Sequence, residues 1–446
     1  MSIIFFDVTR LAIRVSLTAP TGIDRTTEAY LQWLLSRGDV EVIPVCSYGG
    51  RLWPLSRGSL QRILKRKPPK AAPASDSWLK LTSAITSPSA GQIGLRSPPA
   101  SGILQASAQR YLPAILHAIA NLRPRRFPPG AAYLNVSHFG LEQPRLLERL
   151  AAKGLRPIVM VHDLIPIVHP EFCSPNAAAL HQRRIDSVLA HAALVITNSQ
   201  ATADELIEFA KDRGARVPPM QAAPLGLEPA FLKPVSQPSS EPFPIPPSTP
   251  YFICVGTLEP RKNLTFLLTI WRRLAERMGD ATPPLILAGQ RGWENEAIID
   301  HLERSPPILR FVHEANRLDD RQLAGLIRGA RALLSPSFSE GFNLPINEAI
   351  ALGTPVIASD IAVHREFALG AQLIDPLNGV GWLAAIERAA QERPVAKWAR
   401  RPGWPDHFAI VEQAMALSRQ TGHITGEFAI GGGDNCDTHS SLVRGK

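Results

Sequence analysis

Short apolar runs alternate with stretches of helical periodicity along most of this chain. The opening "SIIFFDV" (2–8) is apolar and β-rich, and "PTGIDRTTEAYLQWLLSRG" (20–38) carries its apolar residues at helical spacing and ends on a glycine. The predicted order is strand, loop, helix. Further buried strands are expected at "EVIPVCS", "AAYLNVS", "LRPIVMVHD", "AALVITNS" and "VPPMQAAPL", with helices near 142–153, 176–191 and 200–211 between several of them. After residue 250 the alternation resumes with the strands "YFICVGT", "PLILAG", "ILRFVHE", "ALLSPS" and "PVIASD" and the helices "NLTFLLTIWRRLAERMG" and "LDDRQLAGLIRGA". Strands that alternate with helices predict parallel sheets covered on both faces, hence an α/β fold.

The interruptions in this pattern divide the chain. "KPVSQPSSEPFPIPPSTP" (233–250) holds seven prolines, which deny it helix and central-strand geometry, so 231–250 is expected to link two domains, 1–230 and 251–403. Residues 51–70 hold seven basic side chains and no acidic one, and Ser, Pro and Ala dominate residues 68–102, so an irregular insertion is expected over about 51–125. Leu60, Ile63 and Leu64, set beside Arg62, Lys65, Arg66 and Lys67, allow contact with an anionic membrane, although a solvated loop is the better reading. A last helix is expected over 404–420, returning to the first domain, and a disordered tail over 421–446.

Composition narrows the function classes only a little. With 446 residues and 45% apolar composition the chain can bury more than one core, and 48 Lys plus Arg against 39 Asp plus Glu leave it at +9. That surplus suits phosphate-bearing ligands, anionic lipid or nucleic acid without choosing among them. Cysteines 46, 173, 254 and 436 lie too far apart for a metal cluster or a disulfide framework. The N-terminal apolar run is broken by Asp7, Arg10 and Arg14, and no stretch approaches the ~18 apolar residues of a membrane span. A cytoplasmic protein that meets a membrane only peripherally, at its inner face, is expected.

The chemistry concentrates in "SEGFNLPINEAIALGTPVIASD" (339–360), where Glu340 and Glu348 flank a helix start marked by Pro345. Backbone N–H groups over Gly341, Phe342, Asn343 and Leu344, joined by the helix dipole, can seat a phosphate. Glu348, one turn into the helix, can accept ribose hydroxyls, and Glu340 lies closer to whatever the phosphate carries. In "VGTLEPRKNL" (255–264) a strand ends at Gly256, and Arg261 with Lys262 can clamp a diphosphate as it leaves. Taken singly, each feature is more often a solvated helix start; together they point to a nucleotide-sugar.

"EGFNLPINEA" closely resembles the E-x7-E signature of the retaining glycosyltransferases of family 4, whose GT-B fold sets two Rossmann-like domains face to face. The resemblance covers residues 2 to about 420, apart from 51–125 and the linker. It makes 1–230 the acceptor side and 251–403 the nucleotide-sugar side, and it implies transfer of a hexosyl group from a nucleoside-diphosphate sugar to a hydroxyl of a glycan or lipid-linked glycan, with retained configuration. No cofactor, metal or nucleic acid is implied. The family's usual arginine after the first strand of this domain is replaced by Thr257, which leaves Arg261 to supply the second cation. Gly22 and Arg25 in "PTGIDR" match the loop that approaches the donor phosphates or the acceptor. His162, with Asp163 beside it, matches the histidine next to the transferring sugar, and His138 is an acceptor-side candidate. "VGTLEPRKN" with "HDLIP" is similar to enzymes of surface-polysaccharide assembly, often mannosyltransferases that use GDP-mannose. Three alternatives stand. A glycoside hydrolase would use the two glutamates but leave Lys262 without purpose; an inactive homologue would bind nucleotide-sugar only; a nicotinamide oxidoreductase would need a G-x-G-x-x-G that follows neither first strand.

Overall fold

A computed structural model describes residues 2–14, 21–65, 81, 127–232, 245, 249–316, 318–396 and 398–420. Seven strands build a first sheet: β1 (Ser2–Asp7), β2 (Val40–Tyr48), β3 (Arg51–Pro54), β4 (Ala132–Asn135), β5 (Arg156–Val161), β6 (Leu194–Thr197) and β7 (Met220–Ala222). Their order is β3-β2-β1-β4-β5-β6-β7, and every pairing is parallel except the hairpin of β2 with β3. Ile4 pairs with Val42 on one side and Ala132 on the other, which places β1 inside the sheet between β2 and β4. Six strands build a second, all-parallel sheet: β8 (Phe252–Val255), β9 (Leu285–Ala288), β10 (Val312–Ala315), β11 (Leu333–Ser335), β12 (Val356–Ser359) and β13 (Gln372–Ile374), in the order β10-β9-β8-β11-β12-β13.

Each sheet is covered on both faces, as near-continuous apolar strands require. Ile4, Phe6 and Leu134 join one core of the first sheet, while Phe5, Tyr133 and Val159 join the core on its other face. The helices that matter to the site are α1 (Thr9–Arg14), α2 (Gly22–Ser36), α3 (Arg57–Leu64), α4 (Ala177–His191), α5 (Gln200–Asp212), α6 (Leu264–Met278), α7 (Asp320–Gly329), α8 (Leu344–Ala351) and α9 (Trp404–Gln420). In α6 the buried Leu264, Leu267, Leu268, Trp271 and Leu274 follow the spacing of one helical face, and burial of each such side chain stabilises the fold by roughly 1.5–3 kcal/mol. Helix α9 packs Phe408, Val411 and Met415 into the first sheet's core, where Tyr30 on α2 hydrogen-bonds His407 Nε2 at 2.8 Å and His407 Nδ1 donates to the Pro224 carbonyl at 3.0 Å.

Two expectations need correction. "ILRFVHE" is not one strand, because Pro306–Phe311 is a helix and only Val312–Ala315 is extended. Prolines 306 and 307 occupy a first turn, where a missing N–H costs nothing, and Ile308 and Phe311 bury the same face one turn apart. The basic stretch is likewise ordered at its start. Residues 51–54 pair with β2, and α3 follows, capped by Ser56 Oγ accepting from the Ser59 N–H at 3.1 Å. Ile63 is buried and Leu60 packs on the same core, so of the three apolar residues assigned to a lipid face only Leu64 is exposed. Residues 66–80 and 82–126, most of the proline-rich stretch and the tail after 420 lie outside the described residues. Phe231, assigned to the linker, is buried in a short helix against the second sheet's core.

Candidate functional site

The strand order of the second sheet reverses between β8 and β11, so the loops leaving these strands diverge and open a crevice at their carboxyl ends. Arg261 and Lys262 stand on the first of these loops and Glu340 on the second. Gly256 follows β8 with φ at +140°, and a Cβ there would lie 3.0 Å from Lys262 Cε, so only glycine lets the lysine side chain fold back across the strand end. Lys262 Nζ and Ser337 Oγ donate to Glu340 Oε1 at 2.5 and 2.7 Å, and Arg261 Nη1 donates to Oε2 at 2.5 Å. Arg261 Nη1 also donates to the Ser339 carbonyl at 3.1 Å, while its Nε pairs with Glu259 at 2.7 Å. Burial alone would raise the Glu340 pKa, but Arg261 and Lys262 outweigh it and hold the carboxyl well below the usual range. Burial also works against the charge of Arg261, and there Glu340 and Glu259 prevail, so its pKa is raised.

The second glutamate behaves differently. Glu348 is 6% exposed on α8, and its carboxylate has no hydrogen bond or ion pair with any described residue. Burial pushes its pKa up to about 7, Arg25 opposes that shift, and Asp320 and Glu228 add to it. Asp320 and Glu228 line a cavity of about 400 Å³ together with Pro229, Ala230, Asp319 and Arg321. None of these six belongs to the Glu340 cluster, so this cavity, whose Asp320 and Glu228 act electrostatically on Glu348, is separate from the charged centre around Glu340. Arg25, expected on a loop that approaches the donor phosphates or the acceptor, pairs with Asp320 at 2.6 Å across the two halves of the molecule.

Asn343 caps α8 in the left-handed region, φ +64°, and its side-chain amide donates to Ser335 Oγ and His364 Nε2, both at 2.8 Å. Phe342 is buried against Phe367 with ring centroids 4.6 Å apart, and both belong to the first sheet's core. Leu344 reaches that side as well, since a Cβ on Gly22 would meet its Cδ1 at 3.7 Å. The side chains of Phe342 and Leu344 at the start of α8 thus pack on the first half of the molecule.

Contacts across the cleft centre on Gly341. A Cβ there would stand 2.1 Å from the His162 carbonyl oxygen, and the Gly341 carbonyl accepts from Ser199 Oγ at 2.8 Å. Ser199 also caps α5, which is the only role its sequence context suggests. Glu366 from the second half accepts from the Gln200 and Ala201 N–H groups at 2.9 and 3.0 Å, and Phe172 stacks on Phe338 at 5.3 Å. Because the obstacle is backbone, Gly341→Ala is expected to cost about 1–3 kcal/mol and to push the halves apart. The parent and variant radii of gyration from small-angle scattering test this; identical profiles mean the contact is not made in solution.

His138, His162 and His181 form a buried row with centroids 5.1 and 5.4 Å apart. His138 Nε2 accepts from the His162 N–H at 3.2 Å, His162 Nε2 donates to the Val136 carbonyl at 2.8 Å, and His181 Nε2 donates to the Asp163 carbonyl at 3.0 Å. Desolvation lowers the pKa of all three, so they are neutral near pH 7. His162 Nδ1 keeps its lone pair without a hydrogen bond from any described residue, whereas His138 has its ring committed to backbone. Asp163 Oδ1 accepts from the Ile165 N–H at 3.1 Å, a local turn contact. Among the described residues no His, Cys, Asp and Glu side chains group as a metal site would need, and no described helix is long and apolar enough to cross a membrane.

Two facing sheets of this topology, with the charged centre at the carboxyl ends of β8 and β11, define the GT-B fold. Sucrose-phosphate synthase from Thermosynechococcus elongatus superposes with a TM-score of 0.59 over 94% of this chain and 98% of that one, at 15% identity. The N-terminal domain of Candida albicans trehalose-6-phosphate phosphatase gives 0.53 over 94% and 93%, at 14% identity. Residues 249–392 match the family described as Glycosyl transferases group 1. O-antigen chain mannosyltransferase B of Escherichia coli is 29% identical over 236 residues, which are 52% of this chain and 60% of that protein. Serotype-specific mannosyltransferase WbdA of Escherichia coli is 27% identical over 276 residues, 58% of this chain and 33% of that protein. The chain therefore spans less than two thirds of either relative.

Proposed function

We propose that this protein is a glycosyltransferase that moves a sugar, mannose from GDP-mannose being the preferred donor, onto a hydroxyl of a glycan or lipid-linked glycan with retained configuration and without a metal ion. The observation that carries the proposal is the buried Arg261–Lys262–Glu340 centre at the switch point of the second sheet. The relatives named mannosyltransferase support the sugar. Contact with an anionic membrane would rest on the exposed Arg51, Arg57, Arg62 and Lys65 rather than on an apolar face.

In this reading the diphosphate lies against Arg261, Lys262 and the N–H groups at the start of α8, where fixed positive charge stabilises the departing group. Glu348 accepts the ribose hydroxyls, the adjoining cavity takes the rest of the nucleoside, and Glu340 stands toward the sugar. His162 lies on the acceptor side, where its neutral ring offers Nδ1 as a hydrogen-bond acceptor to a hydroxyl. A thermal-shift panel of GDP, UDP, ADP and TDP tests the reading. A nucleotide at about a hundred times its Kd is expected to add about 2.7 kcal/mol of stability. If none of the four moves the melting curve, the assignment fails.

A further inference from the structure

We propose that Glu259, which no motif signals, is a positioning residue of the donor site: it holds the Nε edge of Arg261 so that Nη2 faces the diphosphate, and it takes a proton from solvent when the diphosphate binds. The inference rests on the nucleotide-sugar reading above.

Sequence alone suggests a cationic clamp, yet the two cations meet two buried carboxylates, Glu259 at 2% exposure and Glu340 with its side chain at 5%. The centre is neutral before any ligand arrives. A diphosphate brings two or more negative charges into a region from which water is largely excluded, where an uncompensated charge is costly. Accepting one proton lowers that excess.

The geometry selects the carboxylate that accepts it. Glu340 receives Arg261, Lys262 and Ser337 and keeps its charge. Among the described residues Glu259 meets Arg261 alone at ion-pair distance, 2.7 Å. The charged and titratable groups around it include Arg261 and Lys262 on its own loop, Glu340 on the loop after β11 and Cys173 from the first half of the molecule, with Asp163 acting on both Arg261 and Cys173 and Glu294 on Cys173. Cys173 is itself pushed up to about 11 by burial, then by Asp163 and Glu259, and stays a neutral thiol. Arg291, on the neighbouring loop, is engaged with Glu314 and Glu303 instead. Burial outweighs the cations around Glu259 and raises its pKa, in contrast to Glu340.

The proton passes from solvent to the Glu259 oxygen that is not paired with Nε, and the other oxygen still accepts from Nε, so Arg261 stays in place. No other bond forms or breaks. Arg261 Nη1 is committed to Glu340 and the Ser339 carbonyl, and Nη2 makes no hydrogen bond with a described residue, so it remains for a phosphate oxygen.

Isothermal titration of the full chain with GDP, and in parallel with UDP, ADP and TDP, in buffers of different ionisation enthalpy counts the protons exchanged. Near neutral pH the parent is expected to take up more protons on binding than Glu259→Gln, and the parent-to-variant affinity ratio to fall as pH rises from 7 to 8, by at most about tenfold per pH unit, the limit for one proton. The subtraction cancels what the nucleotide's terminal phosphate and Glu348 exchange. Glu259→Asp, which keeps the charge, retains the uptake. A role limited to holding the loop would change affinity and leave the proton count alone. Equal counts in parent and Gln variant overturn the proposal while leaving the nucleotide-sugar reading intact. Should the Gln variant not fold, the count is taken on Glu348→Gln at pH 8, where the terminal phosphate is already ionised and Glu348 no longer contributes, and zero uptake there overturns the proposal equally. Absence of binding by all four nucleotides removes both.

Discussion

Lys262→Ala is expected to lower turnover by about 10²–10³-fold, the scale on which removal of one preorganised donor to a developing negative charge acts. The lysine is the better probe of the centre because its loss leaves Glu340 with two donors, Arg261 and Ser337. Arg261→Ala would instead leave Glu259 a buried carboxylate without its ion pair, while Glu340 kept Lys262 and Ser337, and breaking a buried pair in that way costs about 3–5 kcal/mol, so an inactive variant could simply be an unfolded one. Steady-state rates beside melting curves separate these effects. Full activity in a folded Lys262→Ala protein would mean that the diphosphate lies elsewhere.

Glu348→Gln is expected to make the free protein more stable and the nucleotide weaker. In the folded chain the carboxyl pKa is raised from 4.5 to about 7. Between those values the native state holds a proton that the unfolded state has released, so stability falls as pH rises through this window and stays at its lower value above about 7. The loss amounts to about 3 kcal/mol at pH 8, since each tenfold difference in proton affinity between the folded and unfolded chain is worth roughly 1.4 kcal/mol. A neutral amide escapes it. The same substitution removes a charge-assisted hydrogen bond to ribose, which weakens nucleotide binding by about 1.5–3 kcal/mol. Chemical denaturation at pH 8 and titration with GDP give the two numbers. A variant that is no more stable and binds as tightly as the parent would show that Glu348 is an ordinary buried helix residue.

Much of the arrangement is legible in the sequence because it is local. The capping box of α2, in which Thr21 Oγ1 accepts from the Asp24 N–H at 3.4 Å and Asp24 Oδ2 from the Thr21 N–H at 2.9 Å, needs only residues three apart. Pro345 at the start of α8 and the buried runs of β1, β5 and β8 are equally short-range. Where propensity and packing compete, sequence reading is less secure. In "ILRFVHE" the β-formers Ile308 and Phe311 serve as the buried face of a helical turn. In α3 the basic residues mask a helix whose Ile63 is inserted into the core.

The sequence by itself determined two α/β halves, the loop and helix start that carry Glu340 and Glu348, and the cationic pair at Arg261 and Lys262, because periodicity, prolines and turn glycines act over a few residues. Only the tertiary structure decided what these groups meet. Glu259 and Glu340 neutralise the cations, Arg25 turns to Asp320, Ser199 reaches the Gly341 carbonyl, and Glu366 caps a helix of the other half. The partners Arg25 and Asp320 are 295 positions apart, and Ser199 and Gly341 are 142 apart. Such pairs leave no mark in local spacing, since the distance along the chain says nothing about which buried charge lies opposite. A charge reads as free in sequence until the fold supplies its counterion, and here folding turned a surplus of positive residues into a neutral centre.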